Sequence, residues 1–191
     1  MKVVLGNQAN PVRLAFHKGL FEKTGFAGDP NGKTDHNAKF IFDKDGPVAK
    51  QLAAAEEAVA KEKWGAKADA VLTAIRASGK GVVQNGDTQN SDGFAGMSFV
   101  SARSEARPTV VNRDRSPLTM QDGVVYSGCY GIAIVQVWAQ DNQYGKRINA
   151  QLTGFQFVKD GDSFGGGVAP AKADEFEALS ADDGAGEDPF A

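Results

Sequence analysis

Two stretches decide the fold: YSGCYGIAIVQVWAQ at residues 126–140 and KRINAQLTGFQFVK at residues 146–159. Both are long runs rich in β-branched and aromatic residues, separated by a short turn containing Asp141-Asn142, which predicts adjacent strands. In the first, the small Gly131, Ala133 and Ala139 lie among Ile132, Ile134, Val135 and Val137, so the strand is apolar on both faces and reads as central. Cys129, the only cysteine, falls in this run and reads as a small buried hydrophobe, since a lone cysteine has no internal disulfide partner.

Moving outward, Phe94 to Ala102 and Pro108 to Asn112 read as further strands, with turns at Asp114 and Asp122-Gly123. Residues 81–93 are polar and turn-rich and read as a flexible surface loop; no window there carries the ligand spacing of a calcium loop. From Asp45, a candidate cap, with Pro47 suited to a first helical turn, alanine, glutamate and lysine dominate through Trp64, and a second helical stretch runs from Ala66 to Ala77. The first forty residues alternate short apolar runs, Val12 to Phe16 and Lys39 to Phe42, with glycine and proline turns. The sum is a mainly β domain over residues 1–167 with a helical insertion at about 46–79. A sequence too poor in large apolar residues to fold alone follows from 168 to 191, and it reads as a disordered acidic tail.

The chain is 191 residues long with 41% hydrophobic residues, enough to bury a core, and it has no run of apolar residues long enough to cross a bilayer. No signal-peptide stretch opens it, so the expected location is the cytoplasm. The net charge of -3 is split: residues 170–191 hold seven acids against one base, while residues 1–169 hold 20 bases against 17 acids. A mildly basic body joined to an acidic arm suggests a nucleic-acid partner and no membrane.

Catalytic and metal motifs are absent from the pattern. His17, in an apparent strand, and His36, in a polar segment, lack a second ligand at metal spacing, and the glycine run 165–167 opens no helix that would cradle phosphate. The expectation is a protein that is not an enzyme and takes no cofactor. What does stand out is a mixture of cations and rings on β-structure: Arg103, Arg107, Arg113, Arg115, Tyr126, Tyr130, Trp138, Tyr144, Lys146 and Arg147. Arg107, Thr109, Val111, Arg113 and Arg115 share one face if that run stays extended. Cations along a track neutralise phosphates, and unpaired bases stack on aromatic faces whatever their identity, so these residues predict a groove for single-stranded DNA. At the other end, Asp182, Asp183, Glu187, Asp188, Pro189 and Phe190 set acids before a nearly terminal aromatic, which predicts docking on basic, apolar-pocketed replication or recombination proteins.

The pieces Tyr126-Ser127-Gly128-Cys129-Tyr130, Trp138-Ala139-Gln140-Asp141-Asn142, Gly145-Lys146-Arg147 and Gln156-Phe157-Val158-Lys159-Asp160-Gly161, with Phe164 and the glycines after it, resemble a family of tailed-phage single-stranded-DNA-binding proteins, formerly a family of unknown function. The tail resembles the acidic, phenylalanine-bearing ends of bacterial and phage single-strand-binding proteins, with Ala191 following Phe190 here. The resemblance implies a five-stranded, OB-fold-like barrel that coats and protects single strands without strong sequence preference in phage replication or recombination. Strand annealing and a structural or scaffold role in the phage particle are the alternatives.

Overall fold

The computed structural model of the protein describes residues 1–25, 32–165 and 176. Its strands are β1 (Lys2–Leu5), β2 (Val12–Ala15), β3 (His36–Phe42), β4 (Gln84–Asn85), β5 (Ser98–Ser104), β6 (Thr109–Val111), β7 (Tyr130–Asn142) and β8 (Gly145–Lys159). The helices are α1 (Lys18–Phe21), α2 (Pro47–Trp64) and α3 (Ala68–Ala77), the last two joined by a 3-10 turn at Gly65–Lys67. Of the expectations for residues 168–191, disorder and the docking residues Asp182, Asp183, Glu187, Asp188, Pro189 and Phe190 all lie outside the described residues.

The two stretches that decide the fold form a long antiparallel hairpin, β7 on β8, closed by Gln143-Tyr144 between the paired Asn142 and Gly145. β7 also pairs with β1 and β2, so it is the central strand that its two-faced apolar sequence requires. From β7 the pairing runs through β2, β3, β5 and β8 and returns to β7, the β5–β8 step being parallel. β1, β4 and β6 attach to this ring as extra short strands.

Alternation along each strand divides inside from outside. Ala133, Val135 and Val137 of β7, Ala38 and Phe40 of β3, Val100 and Ala102 of β5 and Ala150, Leu152 and Phe155 of β8 form the core, where Phe40 stacks on Phe155 with ring centroids 6.0 Å apart. The helices cover part of this sheet with an apolar stripe of Val48, Leu52, Ala55 and Val59 from α2 and Leu72 and Ile75 from α3. Fully burying a side chain such as Leu52 stabilises by about 1.5–3 kcal/mol. Pro47 starts α2 and Gly65, at φ 52, ends it in a conformation glycine tolerates best. Glu56, buried in α2, ties the layers together: it accepts hydrogen bonds from Arg76 Nε at 2.9 Å and from the backbone N–H of Val82.

Several expectations need correction. Asp45 does not cap α2; the capping position is Gly46, without a side-chain bond. His17 is not in a strand but at the start of α1, because the chain turns sharply at Phe16, and His36, expected in a polar segment, is the buried first residue of β3. Residues 81–93 contain β4 and a 3-10 turn, fastened where Gly86 donates to Met97 and Asp87 pairs with Lys44. The run from Arg107 to Arg115 does not stay extended. β6 spans only three residues, and the chain reverses at Asn112–Ser116, with Arg115 at φ 70, so the arginines do not share a strand face.

Candidate nucleic-acid interface

The outward positions of β3, β5, β8 and β7 line a groove of about 630 Å³. Strand register sets its rows: Arg103 and Gln151 lie side by side on β5 and β8, Trp138 lies opposite Asn149, and Gln140 lies opposite Arg147. These positions point away from the core because their neighbours in sequence, Ala102, Val137, Ile148 and Ala150, point into it. Lys33 and Lys39 add two further cations to the lining, Gln84 and Gln89 two further amides. Trp138 is 43% exposed, leaving indole surface open to the groove. The acids Asp35 and Glu105 also line it, and Glu105 is held by Lys33, whose ammonium keeps that carboxyl below its ordinary range.

Lys39 sits where the groove meets a second cavity of about 490 Å³, and Ser101 and Arg103 line both. Its ammonium lies 5.0, 5.2 and 5.6 Å from the ring centroids of Phe99, Phe16 and Phe94 and donates to Gln89. Partial burial among these rings lowers its pKa. Phe16 itself is 46% exposed and holds φ 62. That left-handed conformation costs a bulky residue about 1–3 kcal/mol and marks sites where surroundings impose geometry for a purpose. The imposing contacts are visible on both sides: Leu14 accepts from the N–H of Gly128, and His17 donates its N–H to Ser127 Oγ at 3.2 Å. His17 Nδ1 accepts the N–H of Ser127 at 3.2 Å, and burial with nearby Lys18 lowers the imidazole's pKa.

The structure distributes the sequence-predicted residues unevenly. Arg103, Trp138 and Arg147 meet in the groove. Tyr130 is half-buried at the start of β7, between Arg13 at 5.5 Å and Lys159 at 5.0 Å from its ring centroid. Tyr126 is buried and its hydroxyl is bonded internally. Tyr144 is 74% exposed at the hairpin tip. Lys146 points to the other side of β8 from Arg147, pairing with Asp141 and lying 5.6 Å from the Trp64 ring. Arg107 is exposed before β6, Arg113 bonds the carbonyl of Val158 and packs over Phe157, and Arg115 is exposed in the turn. Sequence reasoning missed Lys33, Lys39 and Phe16. Lys39 and Phe16 stood in plain view inside apolar runs, but only strand pairing shows that Lys39 points out and Phe16 breaks the strand.

Among the described residues no cluster of three or more acidic, histidine or cysteine side chains could hold a metal ion, and no helix is long and apolar enough to cross a membrane. A β-sheet face carrying spaced cations, amides and an open indole has the makings of a surface that holds an unpaired strand. The chain belongs to the single-stranded-DNA-binding protein family of Enterobacter phage Enc34, whose family model matches residues 1–186. It is 40% identical over 184 residues to putative protein p50 of Acyrthosiphon pisum secondary endosymbiont phage 1, covering 94% of this chain and 95% of that one. The fold is similar to the single-stranded DNA-binding protein from bacteriophage Enc34 in complex with ssDNA, with a TM-score of 0.65 and 26% identity over 86% of this chain and 88% of that one. A second structure of the single-stranded DNA-binding protein from bacteriophage Enc34 gives a TM-score of 0.64 at 24% identity, over 87% and 85% of the two chains.

Proposed function

We propose that the protein coats and protects single-stranded DNA during phage replication or recombination, in the cytoplasm of the infected bacterium, by laying the strand along the groove across β3, β5, β8 and β7. The observation that carries this reading is the convergence of Lys33, Lys39, Arg103, Arg147 and the open ring of Trp138 on one groove of a chain in this family. Cations set the backbone path, and Trp138 stacks on bases without regard to sequence, so binding is broad in sequence and weaker for duplex, whose bases are already stacked. The closed ring of pairings through β2, β3, β5, β8 and β7 supports an OB-like barrel as the scaffold. Binding of this kind calls for no catalytic group. The acidic tail, with Phe190 near its end, is the arm for replication or recombination proteins and a competitor for the same cationic groove.

The test is fluorescence anisotropy with a labelled oligonucleotide, single-stranded and duplex, over a range of salt. If the four cations each neutralise one phosphate, the log-log slope for the single strand is about -3, from about -0.7 per contact. Duplex of equal length binds more weakly. A flat salt response, or duplex affinity equal to single-strand affinity, overturns the reading.

A further inference from the structure

Resting on the reading of the groove as a single-strand track, we propose that the cavity beside it, walled by Phe16, is a pocket that takes one unstacked nucleobase, with Phe16 as its stacking face. Three independent features converge there. The cavity, about 490 Å³, joins the groove through Lys39, Ser101 and Arg103, so a strand leaving Trp138 passes over two cations before reaching it. The Phe16 ring is supported from within the protein by Phe94, at 6.5 Å between centroids, and by the Lys39 ammonium at 5.2 Å, yet nearly half of the residue remains exposed. Its backbone at φ 62 is one that phenylalanine rarely adopts, and it is what turns the chain out of β2 and leaves the ring at the cavity wall instead of continuing the strand.

The chemistry of the pocket also defines what it selects. Part of the polar lining is committed to the protein: His17 Nδ1 and Ser127 Oγ bond each other at 2.9 Å, and Asn37 Nδ2 donates to Thr24 Oγ1 at 2.7 Å and to the carbonyl of Asp35 at 3.0 Å. With these groups taken and an aromatic ring as its wall, the pocket accepts a base by its flat face. Lys39 and Arg103 at the mouth are placed for the phosphates on either side of that base.

The test uses the full chain with Phe16→Asn, because asparagine is comfortable in the left-handed region and removes the ring without adding strain, and Phe16→Trp, which restores a stacking face. The readouts are single-strand affinity across salt, thermal stability, and the emission of an oligonucleotide carrying 2-aminopurine at successive positions. Phe16→Asn is expected to remain folded and weaken binding about 5- to 160-fold, the range that loss of one base stack gives, with an unchanged salt slope. Phe16→Trp recovers the affinity. The wild type changes 2-aminopurine emission at the position seated on Phe16 as well as at the one on Trp138, and Phe16→Asn loses only the former. If the wild type binds single strands and a folded Phe16→Asn binds equally well, or loses affinity with a reduced salt slope like that of Lys39→Gln, the base pocket is overturned while the groove stands. If the wild type does not bind single strands, the groove itself falls and the pocket with it.

Discussion

The hydroxyl of Tyr126 donates to the carbonyl of Gly161 at 2.9 Å and accepts that residue's N–H at 3.0 Å, so one phenol closes both backbone groups of the segment leaving β8. Gly161 also lies so close to the Tyr130 ring that a Cβ there would stand 2.6 Å from it. Tyr126 is therefore a clasp between the approach to β7 and the exit from β8, and its burial raises the phenol's pKa. Tyr126→Phe is expected to cost about 1–2 kcal/mol in chemical denaturation, because a paired donor and acceptor are orphaned together. Single-strand affinity stays as in the wild type; a loss of binding without a loss of stability contradicts the clasp.

Cys129 is fully buried, and that burial pushes its thiol up to about 12 from a starting value of 9.0. In the native protein the thiol is inert to Ellman's reagent at pH 8 and becomes reactive only when the chain is denatured. Between pH 9 and 12 the unfolded chain has released this proton and the native one has not, so stability falls as pH rises through that window. Cys129→Ala removes that part of the decline. Rapid labelling of the native thiol at pH 8 contradicts the burial.

Much of the fold is legible in the sequence because β7 and β8 are long, rich in β-branched and aromatic residues, and carry glycine at 131 and 154, which a helix interior disfavours. The helical insertion is equally plain from its alanine and lysine content. The site is less so. Which face of a strand looks outward depends on register, and register is a property of pairs: Arg103 belongs to the groove through its alignment with Gln151, whereas Arg113 is drawn off by the carbonyl of Val158. Phe16 reads as the last residue of an apolar strand, and nothing local announces a positive φ, since the contacts that impose it come from residues 127 and 128. Tyr126 and Trp138 are both aromatics in one run, and only burial separates the clasp from the open ring.

The charge split between body and tail sets a further expectation. Removing residues 174–191 takes away seven acids that, on the proposed reading, compete for the cationic groove, so single-strand affinity rises at low salt, and the gain fades as salt screens the competition. Phe190→Ala keeps every acid and leaves DNA affinity unchanged, yet loses the replication partners in pull-downs. Truncation without effect on DNA affinity at low salt, together with undiminished partner capture by Phe190→Ala, contradicts this role for the tail.

The most direct measurement is the salt dependence of single-strand binding by the double variant Arg103→Ala/Arg147→Ala beside Arg113→Ala/Arg115→Ala and the wild type. Arg103 and Arg147 face the groove with Trp138, whereas Arg113 packs over Phe157 and Arg115 lies in the turn after β6. Each lost phosphate contact lowers the magnitude of the log-log slope by about 0.7. The account predicts that the groove pair loses about 1.4 in slope and binds more weakly at every salt concentration tested, while the turn pair keeps most of both. An unchanged slope in a folded Arg103→Ala/Arg147→Ala protein, or a larger loss from Arg113→Ala/Arg115→Ala, would place the strand elsewhere on the molecule and contradict the groove.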